Sequence, residues 1–388
     1  MSIKDQNGTV SDFEYDARGR LRARKVRGAD AAAEADDQIT RIEYWPTGLV
    51  KKVTQPDGTF ASYTYDDAHR LTSIVDSAGN SITYTLNAAG ERIKEDTKDD
   101  QGALLHTLSR TYSALGQLQA QTDAYGRSSS FTYDANNSLD QATDALSRTA
   151  DNDYDPLNRL SRTLQDINGI AAETKFTYDV LDNLIRVNDP KGLNTNYTYN
   201  GIGDLTQLQS PDTGITLYTY DSAGNRKTQK DARSKTTIYN YDALNRPTSV
   251  TYTATALNTT YTYDTTQANC VAGETFSVGR LTKVTDQSGN TVYCYDRFGN
   301  LVRKAQTTNA KVFTLRYVYA VNGQLLKIVY PDNAEADYVY DPQGRVVEVG
   351  AKTATGTRQV LLTNATYYPT RLVRWPNGPT ARAPAAAS

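Results

Sequence analysis

The chain has 388 residues, and 42 basic against 44 acidic side chains leave a net charge of −2, so no overall field draws it to nucleic acid or to an anionic membrane. It carries 28 Tyr and 25 Gly but only 1 Met, 2 Trp and 7 Phe, and its mean hydropathy is −0.62. Aliphatic residues are too sparse for one thick core, and no apolar run approaches the roughly 20 residues of a membrane-spanning helix.

Tyrosine is therefore the main large side chain available for burial, and its hydroxyl must reach water or a partner, which suits a half-buried sheet. Met1 to Gly8 lacks the basic-then-apolar pattern of a secretory signal. It reads as the tail of a hairpin entering Phe13-Glu-Tyr15-Asp16, so the chain starts in mid-repeat. The repeating unit is clearest at Tyr218-Thr-Tyr-Asp-Ser-Ala-Gly-Asn-Arg226. Tyr218 and Tyr220 fall on one face of a strand, Asp221 caps a turn, and Gly224-Asn225 tolerate positive φ. One copy is a β-hairpin plus the link to the next.

Ten copies keep the Tyr-Asp pair: Tyr15-Asp16, Tyr65-Asp66, Tyr133-Asp134, Tyr154-Asp155, Tyr178-Asp179, Tyr220-Asp221, Tyr241-Asp242, Tyr263-Asp264, Tyr295-Asp296 and Tyr340-Asp341. Five more keep the aromatic without the Asp, at Tyr44, Tyr84, Tyr112, Tyr199 and Tyr319. A step of 21 residues links Tyr178, Tyr199, Tyr220 and Tyr241, as stacked equivalent units require. Second turns recur at Pro56-Asp-Gly58, Asp76-Ser-Ala-Gly79, Asp123-Ala-Tyr-Gly126 and Asp189-Pro-Lys-Gly192. Two turns per 21 residues predict strands of about six or seven. Punctuation this dense excludes helix as the repeating element.

Three segments break the step. Arg27 to Gln38 reads as one short helix or a mobile loop, Glu95 to Leu108 as a long hairpin tip, and Thr265 to Gly279 as a stretched connection carrying Cys270. All three read as surface decoration in the first instance, although loops are where partners are contacted. A disulfide between Cys270 and Cys294 is one reading of the two cysteines; two unrelated thiols is the preferred one. The predicted array spans residues 1–368. The Pro- and Ala-rich segment 369–388 has no periodicity and is predicted to be disordered.

The pattern Tyr-Asp-x-x-Gly-Asn/Arg-Leu resembles the YD repeat of Rhs proteins, with close matches at Asp16-Ala-Arg-Gly-Arg-Leu21, Asp296-Arg-Phe-Gly-Asn-Leu301 and Asp341-Pro-Gln-Gly-Arg-Val346. The resemblance covers about residues 10 to 368. That family includes polymorphic toxins, wall-associated proteins, insecticidal toxin-complex subunits and teneurins. The resemblance implies an all-β fold in which a long antiparallel sheet of YD-repeat hairpins curls or spirals into a hollow shell. It also implies a secreted or cell-surface setting and a toxin domain, used in interbacterial competition, as the enclosed partner. Departures are equally plain. No Asp-Pro-x-Gly-Leu core follows Tyr340, so the chain reads as a piece of shell truncated at both ends. Geometry supports the curl independently: fifteen hairpins give about 30 strands, whereas open sheets rarely pass about ten without curling.

Chemistry is sparse. His69 sits in a turn where other copies place Gly or Asn, and His106 lies in the second insertion without a neighbouring Cys or His. Asp151-Asn-Asp-Tyr-Asp155 resembles the start of a calcium loop, but Pro156 stands where the Gly is needed. No catalytic residue, metal site or cofactor is expected. The Asp of each pair recurs too often to be catalytic, and turn capping accounts for all ten. The tyrosine ladder reads as filling a buried face, with stacking of glycans as the alternative. That alternative would make the chain a surface adhesion module; a non-functional remnant of a larger Rhs gene is the other. Uncapped strand edges predict self-association.

Overall fold

The computed structural model describes residues 1–29, 34–367 and 373–374. The predicted tail 369–388 lies outside the described residues apart from Val373–Arg374, a two-residue strand paired with Thr366–Tyr367. Everything else that is regular belongs to one 32-stranded sheet, from Ser2–Lys4 to Gln359–Leu362. Each strand pairs antiparallel with the next in sequence, so the sheet is an uninterrupted meander. Among the described residues the only helical element is a single 3-10 turn, Thr255–Leu257. No described helix is long and apolar enough to cross a membrane.

The turns explain the meander. After Tyr154, the carboxylate of Asp155 accepts through Oδ1 from the main-chain N–H of Leu157 (2.9 Å) and of Arg159 (3.0 Å), and through Oδ2 from Arg159 Nε (2.7 Å). The main chain closes the same loop, Asp155 N–H donating to the Arg159 carbonyl at 2.9 Å. The fourth residue takes positive φ, supplied by Asn158 here (62°) and by Gly299 (92°) in the turn at Asp296. In the turn at Asp221 only Gly224 adopts positive φ; Asn225 instead donates to Asp221 through both its N–H and its side-chain amide. The reading that both residues serve the φ requirement is corrected accordingly.

Every hairpin closed on the Tyr-Asp side carries a register shift at the residue before the turn, as between Asp153 and Tyr154. Most pairings closed on the opposite side, such as Gln141–Thr143 with Thr149–Asp151, run in plain register; the exceptions are a shift between Leu104 and His106 and one between Val349 and Gly350. A bulge bends its strand and increases local twist. Repeated on one side of the sheet every second strand, it bends the ribbon the same way throughout. One copy is reassigned: in the repeat ascribed to Tyr84 the shift falls between Thr85 and Leu86, so the turn belongs to Leu86-Asn87.

Constant curvature brings distant turns together. Asn7, between the first and second strands, exchanges two hydrogen bonds with Val278, which precedes the twenty-fifth (Leu281–Asp286). Asp57, between the fifth (Val50–Thr54) and sixth, accepts from Asn322, between the twenty-eighth (Lys311–Tyr319) and twenty-ninth. Asp76, ending the seventh (Leu71–Asp76), accepts from Gln343, which follows the thirtieth (Glu335–Tyr340). Each contact joins strands 23 apart, so the ribbon completes one coil every 23 strands and the second coil rests on the first. At about 4.8 Å per strand the coil has a circumference of about 110 Å and a diameter of about 35 Å.

Burial agrees with a wall rather than a filled body. The exposed surface is 23894 Å², against about 15,000 Å² for a compact monomer of this mass. Among the described residues the one buried cluster, Val292, Cys294 and Ala305, packs against Cys270 of the 265–279 connection. There Cys270 and Cys294 form a disulfide, with Cα atoms 5.4 Å apart, which overturns the preferred reading of two unrelated thiols. The long connection folds back so that Thr275 bridges Tyr295, a path that strand periodicity does not disclose. The second insertion is a long hairpin, Arg92–Lys98 with Leu104–Tyr112. In the first insertion Asp30–Ala33 lie outside the described residues, and the flanking Arg27–Gly28 and Glu34–Asp37 are not helical.

Candidate functional site: the stacked rims of a repeat shell

The recurring Tyr and Asp side chains converge on one rim, where each repeat is tied to both neighbours. Tyr154 donates its hydroxyl to the carbonyl of Leu139 at 2.9 Å, and Tyr133, Tyr220, Tyr295 and Tyr340 make the same bond to Leu118, Leu205, Leu281 and Leu325. This reach back to the start of the preceding strand gives the phenol the partner that partial burial demands. Burial pushes the hydroxyls of Tyr154, Tyr220, Tyr295 and Tyr340 above the usual phenol range.

The arginine that closes a turn reaches forward. Arg159 covers the ring of Tyr178 at 4.8 Å and donates to the Asp179 carbonyl at 2.9 Å; Arg20 covers Tyr44 and Arg246 covers Tyr263 in the same way. Neighbouring turn tips are linked as well, with Ser138 Oγ donating to Asn158 and Asn225 Nδ2 to Asn245. These closures hold the carboxyls of Asp16, Asp66 and Asp155 below the usual carboxylate range, through the side chains of Arg20, Arg70 and Arg159 first. At Asp242 the main-chain N–H of Arg246 is the largest cause, and at Asp264 the Arg246 side chain is.

The tyrosines alternate with exposed positions, as Tyr133 with Thr132 and Tyr220 with Thr219, so one face is half-covered by rings and the other mixes Thr and Ser with exposed aliphatics such as Ile215 and Leu217. On that other face the disulfide pins the 265–279 strap, and Glu274 adds a 2.6 Å ion pair to Arg303. The same strap delivers Val278 to the seam between coils.

Residues singled out for chemistry are spread apart. His69 occupies the positive-φ position of its turn (64°), the place Gly holds elsewhere, and His106 lies on the strand Leu104–Tyr112. Asp151 and Asp153 project from the strand Thr149–Tyr154 and both pair with Arg162, so the calcium-like stretch is engaged in ion pairs. Among the described residues no group of three or more His, Cys, Asp or Glu is placed to hold a metal.

What sequence reasoning missed is the seam. Its contacts come from turn residues on both rims: Asn7, Asp57, Asn322 and Gln343 at the middle of five-residue turns, Asp76 at the start of one, and Thr9, Val278 and Arg297 beside them. Nothing in the local pattern marks those residues as meeting across 265 to 288 positions.

Residues 81–308 and, overlapping them, 172–371 match the Teneurin YD-shell family, and residues 44–81 match the RHS Repeat family. The chain belongs to the Rhs/YD-repeat family. A stretch of 111 residues is 31% identical to the tRNA3(Ser)-specific nuclease WapA of Bacillus spizizenii, covering 28% of this chain and 4% of that protein. The fold is similar to the crystal structure of TcdB2-TccC3, with a TM-score of 0.53 and 12% identity over 94% of this chain and 26% of that one. TcdB2-TccC3-TEV gives the same score and identity, with 28% of its chain covered. The YD-repeat chain thus spans about a quarter of these shell proteins and a small part of the nuclease. Members of the family are typically extracellular or secreted, and their repeat shells are structural.

Proposed function

We propose that this chain is a wall segment of an Rhs-type shell that encloses a toxin, in a secreted or cell-surface protein used in competition between bacteria. The observation that carries this reading is the 23-strand seam, because it turns a ribbon into a continuous coiled wall with an inside. The mechanism is steric. Hydrogen-bonded pairing along the meander and rim contacts between coils leave a cargo no lateral exit. With side chains about 5 Å deep on each side, a coil of about 35 Å leaves a lumen of about 25 Å. That width accepts a folded module of about 50 residues, or a longer segment held unfolded.

The test is protease protection of the gene product in its natural reading context, with the DNA on both sides sequenced. A downstream toxin region resistant to protease until the shell is opened supports encapsulation. Unrelated flanking genes, or a cargo cut as fast as free toxin, would remove it.

A second reading has one specific observation in its favour. Tyr218, Tyr220, Tyr239 and Tyr241 surround Arg226 in an open cavity of about 450 Å³. Aromatic faces beside a guanidinium suit a saccharide bearing an acidic group. Glycan-array binding that disappears in Tyr218→Ala and Tyr239→Ala would move the protein to the adhesion class, whereas an array with no signal would retire that class.

A further inference from the structure

Both asparagines that bond across the seam stand immediately before glycine, as Asn7-Gly8 and Asn322-Gly323. Each is the third residue of a five-residue turn whose fourth is a positive-φ glycine. In the other described turns of that form the third residue is never Asn; Arg18, Thr47, Ala78, Leu115 and Lys191 are examples. Asn-Gly recurs at Asn168 and Asn200, and the side chain of Asn200 bonds only within its own turn, to Ile202 and Asp204. Asparagine before glycine is chemically labile because no side chain obstructs the glycine nitrogen. That nitrogen attacks the asparagine Cγ: the N–Cγ bond forms, the Cγ–Nδ2 bond breaks, and ammonia leaves with the glycine N–H proton. Water then opens the cyclic imide at either carbonyl, giving aspartate or isoaspartate. In the closed turns the nitrogen is engaged, Gly323 N–H donating to the Ala320 carbonyl (2.9 Å) and Gly8 N–H to that of Asp5 (3.0 Å). The amides are held too. Asn322 Nδ2 donates to Asp57 while its Oδ1 accepts from Gln324 N–H, and Asn7 bonds both main-chain groups of Val278.

We infer that Asn322 and Asn7 are self-modification sites guarded by the seam, and that their deamidation makes opening of the seam one-way. Reaction requires the turn to give up its hydrogen bonds, so modification follows local opening. A carboxylate at position 322 has no N–H to donate and stands against that of Asp57. At position 7 the donation to the Val278 carbonyl is lost. An opened and modified seam therefore does not reclose as before. This rests on the contact between coils and not on the toxin reading.

Peptide mapping of the full chain, aged at mildly alkaline pH in heavy-oxygen water, tests it, because each deamidation fixes one oxygen from the solvent. Rates are read site by site at Asn322, Asn7 and Asn200, in native buffer and in unfolding urea. Asn322 and Asn7 should react at least about tenfold more slowly in the native chain than in urea. Asp57→Ala removes the partner across the seam; it should quicken Asn322 at least about fivefold and leave Asn200 unchanged. Modification adds a negative charge, so ion exchange separates modified from unmodified native chain. The fraction modified at position 322 should lose amide-exchange protection over Gln55–Thr59, and the unmodified fraction should keep it. Native rates within about twofold of those in urea overturn the guard, as does an unchanged Asn322 rate in Asp57→Ala. Equal protection in the two fractions overturns the one-way step. The rate comparison and the fractions both use the wild-type chain, so they decide the matter even where Asp57→Ala misfolds.

Discussion

Asn322 donates from Nδ2 to Oδ2 of Asp57 across 2.6 Å, although 265 residues separate them in the chain. The bond joins the middle residues of two turns on opposite rims of the ribbon. Because the Asp76–Gln343 and Asn7–Val278 contacts show the same 23-strand displacement, the seam is a property of the coil and not of one fortunate pair.

Replacing the donor with an acid tests the seam locally. Burial acts to raise the Asp57 carboxyl, but hydrogen bonds from Thr59 and Asn322 outweigh it and hold that group ionised at neutral pH. Asn322→Asp therefore sets two carboxylates against each other. Amide exchange in the Gln55–Thr59 turn is expected to quicken severalfold, and more at low salt than at high. Unchanged exchange would place the stability of that turn elsewhere.

Removing the hydroxyl of Tyr154 takes one of two side-chain donors from the Leu139 carbonyl, which keeps Asn152 Nδ2 at 3.2 Å. Tyr154→Phe should cost about 0.5–1 kcal/mol, the low end for a hydrogen bond because the site is half-exposed and water can replace the donor. Urea unfolding checks this. The loss should be similar for Tyr220→Phe and Tyr340→Phe, which have equivalent bonds.

Acid should loosen the rim. The carboxyls of Asp16, Asp66 and Asp155 are held below their unfolded value of about 3.8 by the arginines that close their turns. A depressed folded value means that the stabilisation is complete above the unfolded value and is lost as pH falls through the folded one. Melting temperature should therefore change little on account of these groups from pH 7 to about 5 and fall below about 4. Asp155→Asn should flatten part of that fall. A melting curve equally steep in the variant would assign the acid sensitivity to other carboxylates.

Reduction should release the 265–279 strap. A dithiol gives up two electrons and two protons, closing to its own disulfide while Cys270 and Cys294 become thiols. Closure of a loop with a sequence separation of 24 stabilises by about 3.5 kcal/mol in the chain-entropy estimate. Reduced protein, and Cys270→Ser, should exchange faster across 270–279 and lose protection at Asn7–Thr9, which depends on the strap through Val278. Protection retained at Asn7 would mean that the seam holds without the strap.

How much was legible follows from the range of each interaction. The turn motif was readable because Asp155, Asn158 and Arg159 close on one another within five residues. So was the meander, because a period of 21 residues leaves little but hairpins. Curling was legible as a necessity, but not its pitch, which sums small bends at the register shifts repeated along the Tyr-Asp side. Leu86 shows the limit of reading the aromatic as the marker: the backbone places its shift there, two residues after Tyr84. The disulfide was hidden because its geometry depends on how a non-repetitive connection folds back over the sheet.

The coil period is tested most directly by joining the two turns that it brings together. The chain carrying Asp57→Cys and Asn322→Cys, its native cysteines protected by their disulfide, is treated with a short bis-maleimide and mapped by mass spectrometry. A crosslink within one chain between residues 57 and 322, with none in the Asp57→Cys, Leu244→Cys control, is the expected result. No crosslink between 57 and 322, or equal yield in the control, would contradict a coil of 23 strands.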